Sequence, residues 1–229
     1  MSRIVKLTEI DITRLVKKVL QENVEELTEK IQKYFEVNVG FPIANLKLRN
    51  SKSNNEAALS AIDSADWVFA GPGSPTYALK VWRETGTDLK LKELLNRGTV
   101  VMASAAAMSL GSKVMPVYEM YKVGEDPYWL DGLNLLEAAT GLKAAVVAHY
   151  NNNQGGTHDT RFCFVGEKRM ARLEELLESD TAILGLDEHT GIAFDLDEQS
   201  YEVFGKGVAT LRRKGVDNIF AAKSSGQTP

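Results

Sequence analysis

Cysteine is nearly absent from this chain of 229 residues: Cys163, in "RFCFVG", is the single example. One thiol cannot close an internal disulfide. The three histidines, His149, His158 and His189, are too few and too scattered to suggest a zinc site, so no metal is expected. A basic excess is missing too. The chain carries 27 Lys and Arg against 31 Asp and Glu, a net charge of −4, which argues against general binding of nucleic-acid phosphates. No apolar run reaches the roughly 20 residues that span a membrane. Acidic residues stand in "MSRIVKLTEIDITRL" where a signal peptide needs an apolar block. A cytoplasmic protein that binds neither nucleic acid nor membrane is the expectation. Cys163 itself, between Phe162 and Phe164, reads as a strand residue packed in the interior.

What the chain does have is an alternation of short apolar runs with amphipathic segments. Over 21–36, Val24, Leu27, Ile31 and Tyr34/Phe35 recur at helical spacing. "ANLKLR" then suggests a strand, 54–65 a helix, "DWVFAG" a strand, "GPGSPTYALKVWRE" a turn and helix, "LKLKELLNRG" a helix and "TVVMAS" a strand. An irregular aromatic stretch, "PVYEMYKVGEDPYWLDGLNLL", follows a short helix and could line a pocket or a dimer surface, so a homodimer is left open. "KAAVVAHY" reads as a strand, "NNNQGGTHDT" as a polar loop and "GEKRMARLEELLES" as a helix. "TAILGLDE" and "GIAFDLD" look like paired strands, and "SYEVFGKGVATLRRKG" like an edge hairpin. "RLVKKVL" fits a helix or a strand equally. Strands separated by helices imply one α/β domain over residues 1–220 with a mainly parallel sheet and a C-terminal β-hairpin. The polar residues 221–229 read as a flexible tail. In such sheets, functional groups gather beyond the carboxyl ends of the strands, where Gly71, Ser104, His149 and Glu188 fall.

Each of these residues has two readings. Ser104 in "TVVMASAAAMSLG" is either a nucleophile on a strand-to-helix turn or an N-cap on an alanine-rich helix. His149 closes the run "AAVVAH", as a base or as a strand-end residue bonded to backbone. Glu188, in "GLDEH", could orient an imidazole or lie in a solvated turn. The "GPGSP" turn could bring backbone N–H groups to a ligand, or could simply connect a strand to a helix.

Together the segments resemble a known family. "FAGPGSPTYAL" is similar to the glycine-rich turn of the dipeptidase E and cyanophycinase serine peptidases, and "VVMASAAAMSLG" to their G-x-S-A-G-A nucleophile segment. "AHYNNNQGGTHDTRFCFVGEKRMARL" resembles their histidine segment, and "LGLDEHTGIAFD" their GIDE-x-T-A strand pair. The resemblance implies a class I glutamine amidotransferase-like, flavodoxin-like α/β fold, a three-layer sandwich. It implies Ser104 as nucleophile, His149 as base and Glu188 as the orienting acid, with Glu119 the alternative acid. Gly73 and Ala105 are the implied oxyanion donors. Arg161, His158 and Asn151, in the loop after His149, are candidates for binding substrate, with Arg169 a further basic candidate.

The activity implied is hydrolysis of a small peptide or amide through an acyl-enzyme, with no metal or organic cofactor. Met102 and Ala106 stand where the family carries glycines. They motivate the alternative of a non-catalytic binding or regulatory member of the same fold. A cysteine-dependent enzyme would have to use Cys163, which lies in a different segment from the expected nucleophile.

Overall fold

The computed structural model describes residues 4–9, 26, 28–40, 42–48 and 55–228; "RLVKKVL" and the start of the expected 21–36 helix, with Val24 and Leu27, lie outside the described residues. The chain divides into two compact units. One comprises Met1–Gly73 and Tyr77–Ala103, the other Ser74–Thr76 and Ser104–Pro229.

In the first unit, β1 (Ile4–Glu9), β2 (Ile43–Leu48), β3 (Trp67–Ala70) and β4 (Thr99–Met102) form a sheet in the order β2-β1-β3-β4, every pair parallel. The expected helix continues past residue 36 through a π-helical turn, Tyr34–Val39, and stops at Gly40, whose φ of 80° closes it in the left-handed conformation. Phe35 on this turn packs edge-on against Trp67 of β3 at 5.3 Å. The helices α1 (Glu56–Asp63), α2 (Pro75–Thr85) and α3 (Thr87–Leu95) follow the apolar spacing of the sequence: Ala58 and Ile62 are buried in α1, Leu91 and Leu94 in α3. The Arg97 guanidinium donates to the carbonyls of Ile62, Asp63 and Ala65, and so satisfies acceptors that the end of α1 leaves open.

The second unit begins with α4 (Ala105–Ser109). It continues through β5 (Lys113–Val114), β6 (Leu130–Asp131), α5 (Leu135–Thr140), β7 (Ala144–Val147), α6 (Gly166–Glu175) and β8 (Ala182–Leu186). It ends in β9 (Thr190–Asp195), β10 (Ser200–Gly205), β11 (Val208–Arg213), β12 (Val216–Ala221) and β13 (Ser225–Gln227). β7 is buried at every position and β8 at all but its last, the continuous apolar pattern of strands covered on both faces. Val147 and Ile183 of these strands share one core cluster with Met108, Met120, Phe162 and Met170. The irregular aromatic stretch forms a π-helical turn, Glu119–Val123, then β6 and the start of α5.

The α/β class holds, but parallel pairing is confined to the first sheet and to β7–β8. The second four-stranded sheet has the order β12-β11-β8-β7, and from β8 outward it is antiparallel. β8 does not pair with β9, nor β10 with β11. The hairpins are β9–β10 and β11–β12. Both "GKGV" and "RKGV" look like two-residue hairpin turns, yet only the second is one, with Lys214 at φ 50° and Gly215 at φ 73°. In the first, the Gly207 N–H donates to Thr190 Oγ1 at 2.8 Å and the Val208 N–H to Asp187 Oδ2 at 3.0 Å. These side chains carry the chain from one sheet into the other instead of letting it fold back. The tail expected over 221–229 includes β13, which pairs with β10. Its small residues have a packing reason, because Gly226 lies against the Tyr201 ring.

Candidate active site

Ser104 follows Ala103 between β4 and α4, and its backbone has φ 55° and ψ −120°. A non-glycine residue in that conformation costs of the order of 1–3 kcal/mol and persists only where its surroundings impose it. The side chain makes no capping hydrogen bond to α4. Its Oγ lies instead 2.9 Å from Nε2 of His149. On either side, Met102 ends β4 in register with Ala70, and Ala106 is buried in α4. The turn therefore forms with both residues in place.

His149 follows β7 and also has positive φ, 51°. Its Nδ1 lies 3.2 Å from Oε1 of Glu188. An ionised carboxylate only accepts, so this contact places the ring proton on Nδ1 and leaves Nε2 as the acceptor for the serine hydroxyl. Glu188 sits in the turn between β8 and β9. Its backbone N–H donates to Asn151 Oδ1 at 2.8 Å. Asp187 and Thr190, the residues already seen to hold the 206–208 crossing, flank it and pin the turn. Ser104, His149 and Glu188 thus meet as the sequence places them, each at the end of an apolar strand.

Other expected residues are engaged differently. Asn151 meets the backbone of Glu188. His158 is exposed in the polar loop, its N–H bonded to the Gly155 carbonyl at 3.0 Å. Arg161 is half exposed, and its guanidinium is paired with Asp159 at 2.8 Å and Glu167 at 3.4 Å. Arg169 is exposed on α6. Glu119 opens the π-helical turn with its Oε2 buried and without a hydrogen-bond partner among the described residues, whereas the carboxylate bonded to His149 is that of Glu188. Ala105 is the first residue of α4, and Gly73 belongs to the first unit.

Sequence reasoning missed two features. Asn152 is 1% exposed, and its Nδ2 donates to Glu188 Oε1 at 3.0 Å. Three asparagines in a row read as a polar loop, and nothing in that pattern marks the middle one. The second feature is a left-handed turn: Phe162, Cys163 and Phe164 have φ of 57°, 56° and 72°. The Phe162 N–H donates to the Tyr150 carbonyl at 2.9 Å and the Cys163 N–H to the His149 carbonyl at 3.1 Å, so this turn holds the backbone of the histidine. Cys163 is interior, at 7% exposure, but lies in this turn and not in a strand. Burial pushes its thiol up to about 12, with the Glu188 carboxylate adding to the shift. A neutral, buried thiol is a poor nucleophile, which removes the cysteine-dependent reading.

The family model of peptidase family S51 matches residues 19–201, most of the chain and all of the residues that meet at Ser104. The chain belongs to peptidase family S51. A crystal structure of a peptidase from an acI-B1 Actinobacterium is similar in fold, with a TM-score of 0.69 at 15% identity, over 98% of this chain and 83% of that one. A putative peptidase E protein from Listeria monocytogenes EGD-e gives a TM-score of 0.49 at 12% identity, over 97% and 87% of the two chains. No curated protein matches. Within the S51 chain described here, no group of three His, Cys, Asp or Glu side chains is placed to hold a metal ion among the described residues. No described helix is long and apolar enough to cross a membrane.

Proposed function

We propose that this S51 family member is a serine hydrolase that cleaves a small peptide or amide through an acyl-enzyme. The observation that carries the reading is the 2.9 Å contact between Ser104 Oγ and His149 Nε2. A serine hydroxyl becomes a useful nucleophile when a base takes its proton, and His149 is within reach to do so. Glu188 holds the imidazole in the required tautomer and stabilises the imidazolium that forms. The positive φ of Ser104, between a strand and a helix, supports reading this turn as a nucleophile elbow.

As Ser104 attacks the carbonyl carbon, its proton passes to His149 and negative charge grows on the carbonyl oxygen. The N–H of Ala105 at the helix start is our assignment for an oxyanion donor. Removing one such donor typically costs about 10²–10³-fold in rate. His149 then returns the proton to the leaving amine. Water, deprotonated by the same histidine, releases the acid product and regenerates the serine. Apart from the substrate and the hydrolytic water, the groups assigned to these steps belong to the chain.

The test is covalent labelling with a serine-reactive phosphonate. The wild-type protein is expected to take up one label, and Ser104→Ala to take up none while remaining folded by circular dichroism. Equal labelling of the two would sink the assignment.

A further inference from the structure

Asn152 carries more interactions at the site than any sequence motif suggests, and each group of its side chain is accounted for. Oδ1 accepts the Gln154 N–H at 3.2 Å, and Nδ2 donates to Glu188 Oε1 at 3.0 Å. Its backbone joins in as well: the N–H donates to the His149 carbonyl at 3.1 Å, and the carbonyl accepts from Thr160 Oγ1 at 3.4 Å. The orientation of the amide follows from these neighbours. A flipped amide would set its NH₂ against the Gln154 N–H and its oxygen against a carboxylate, two repulsive contacts in place of two bonds. Nδ2 therefore faces Glu188.

The oxygen that Asn152 holds is the one that faces His149 Nδ1. A carboxylate side chain rotates about several bonds, and a single contact to an imidazole does not fix it. A second donor on the same oxygen, from a residue 1% exposed, does. We infer that Asn152 is a positioning residue for Glu188, a fourth member of the Ser104–His149–Glu188 relay that sets the orientation of the acid. The inference rests on the serine hydrolase reading given above.

Asp is the discriminating replacement. Asn152→Asp keeps an oxygen for the Gln154 N–H, so the turn that starts the loop is preserved, but it exchanges the donor facing Glu188 for another acceptor. Among the described residues, the titratable groups near Glu188 include His149, bonded to it, Asp187 and His189, its chain neighbours, and the Cys163 thiol, which burial keeps neutral. The experiment follows the rate of phosphonate labelling against pH for wild type, Asn152→Asp and Ser104→Ala, with thermal unfolding recorded for each. Asn152→Asp is expected to slow labelling by about 10- to 100-fold, the usual worth of a hydrogen bond to a charged group. The added negative charge favours the imidazolium, so the acid limb of the profile should move to higher pH by about one unit. Equal rates with superimposable profiles overturn the inference. A slower rate with an unmoved profile overturns it too, because that is the signature of a merely structural loop residue. If wild type and Ser104→Ala label equally, it is the hydrolase reading that fails.

Discussion

Ser104 and His149 meet through side chains carried on backbone that ordinary residues avoid: φ is 55° at one and 51° at the other. Two strained positions facing each other across a 2.9 Å contact mean that neither side chain is placed by local preference. Each is held by what surrounds it. On the histidine side, the holders are the left-handed turn at 162–164, Asn152 and the polar network behind them.

That network is open to a stability measurement. Arg212 is 8% exposed and bonds Glu174 at 3.0 Å and Glu167 at 3.1 Å, with its guanidinium carbon 5.7 Å from the centre of the Phe162 ring. Among the described residues, removing the charge leaves the Glu174 carboxylate with only the Gly215 N–H, while Glu167 keeps Arg161. Arg212→Gln should destabilise the fold by about 3–5 kcal/mol, read as an earlier midpoint in urea unfolding. A midpoint equal to that of the wild type would show that the pair contributes nothing net.

Acid sensitivity should trace in part to Asp159. The Arg161 guanidinium and the Glu167 N–H bond its carboxylate and hold it well below the usual value of 3.8. A depressed folded-state value contributes stability that is present above about pH 4 and is lost as the pH falls below it. Asp159→Asn removes the titrating group. The loss of thermal stability between pH 5 and pH 2.5 should therefore be smaller in Asp159→Asn than in wild type. Identical losses would count against the assignment.

Cys163 offers a chemical probe of the same region. With its thiol buried and pushed up to about 12, the native protein should resist iodoacetamide at pH 8, while the urea-unfolded chain should react at the rate of a free cysteine. Rapid alkylation of the native protein would mean that the 162–164 turn opens readily, and the backbone support of His149 with it.

Much of this was legible before the structure. Ser104 and His149 each terminate an apolar run, and Glu188 stands one polar residue beyond another, at the strand ends where functional groups collect. Asn152 was hidden because its role depends on which of three identical neighbours turns inward. The left-handed run at 162–164 was hidden because two phenylalanines and a cysteine favour extended backbone. The Phe162 and Cys163 N–H groups bond carbonyls more than ten positions earlier in the chain, and such partners do not show in the local pattern. The pairing of the C-terminal strands was misread for a similar reason. "GKGV" has the local chemistry of a hairpin, and the side chains of Asp187 and Thr190 overrule it.

Gly185 has a wider meaning than its lack of a side chain suggests. A Cβ there would run into the ring of Tyr150, whose N–H donates to the Leu186 carbonyl at 3.0 Å. Tyr150 is the neighbour of His149, so an interior strand position with no chemistry of its own governs how closely the histidine's strand end approaches that of Glu188. A side chain at residue 185 would therefore displace Tyr150, and with it the strand end that carries His149. A survey of natural variants that weighed only reactive side chains would pass over this position.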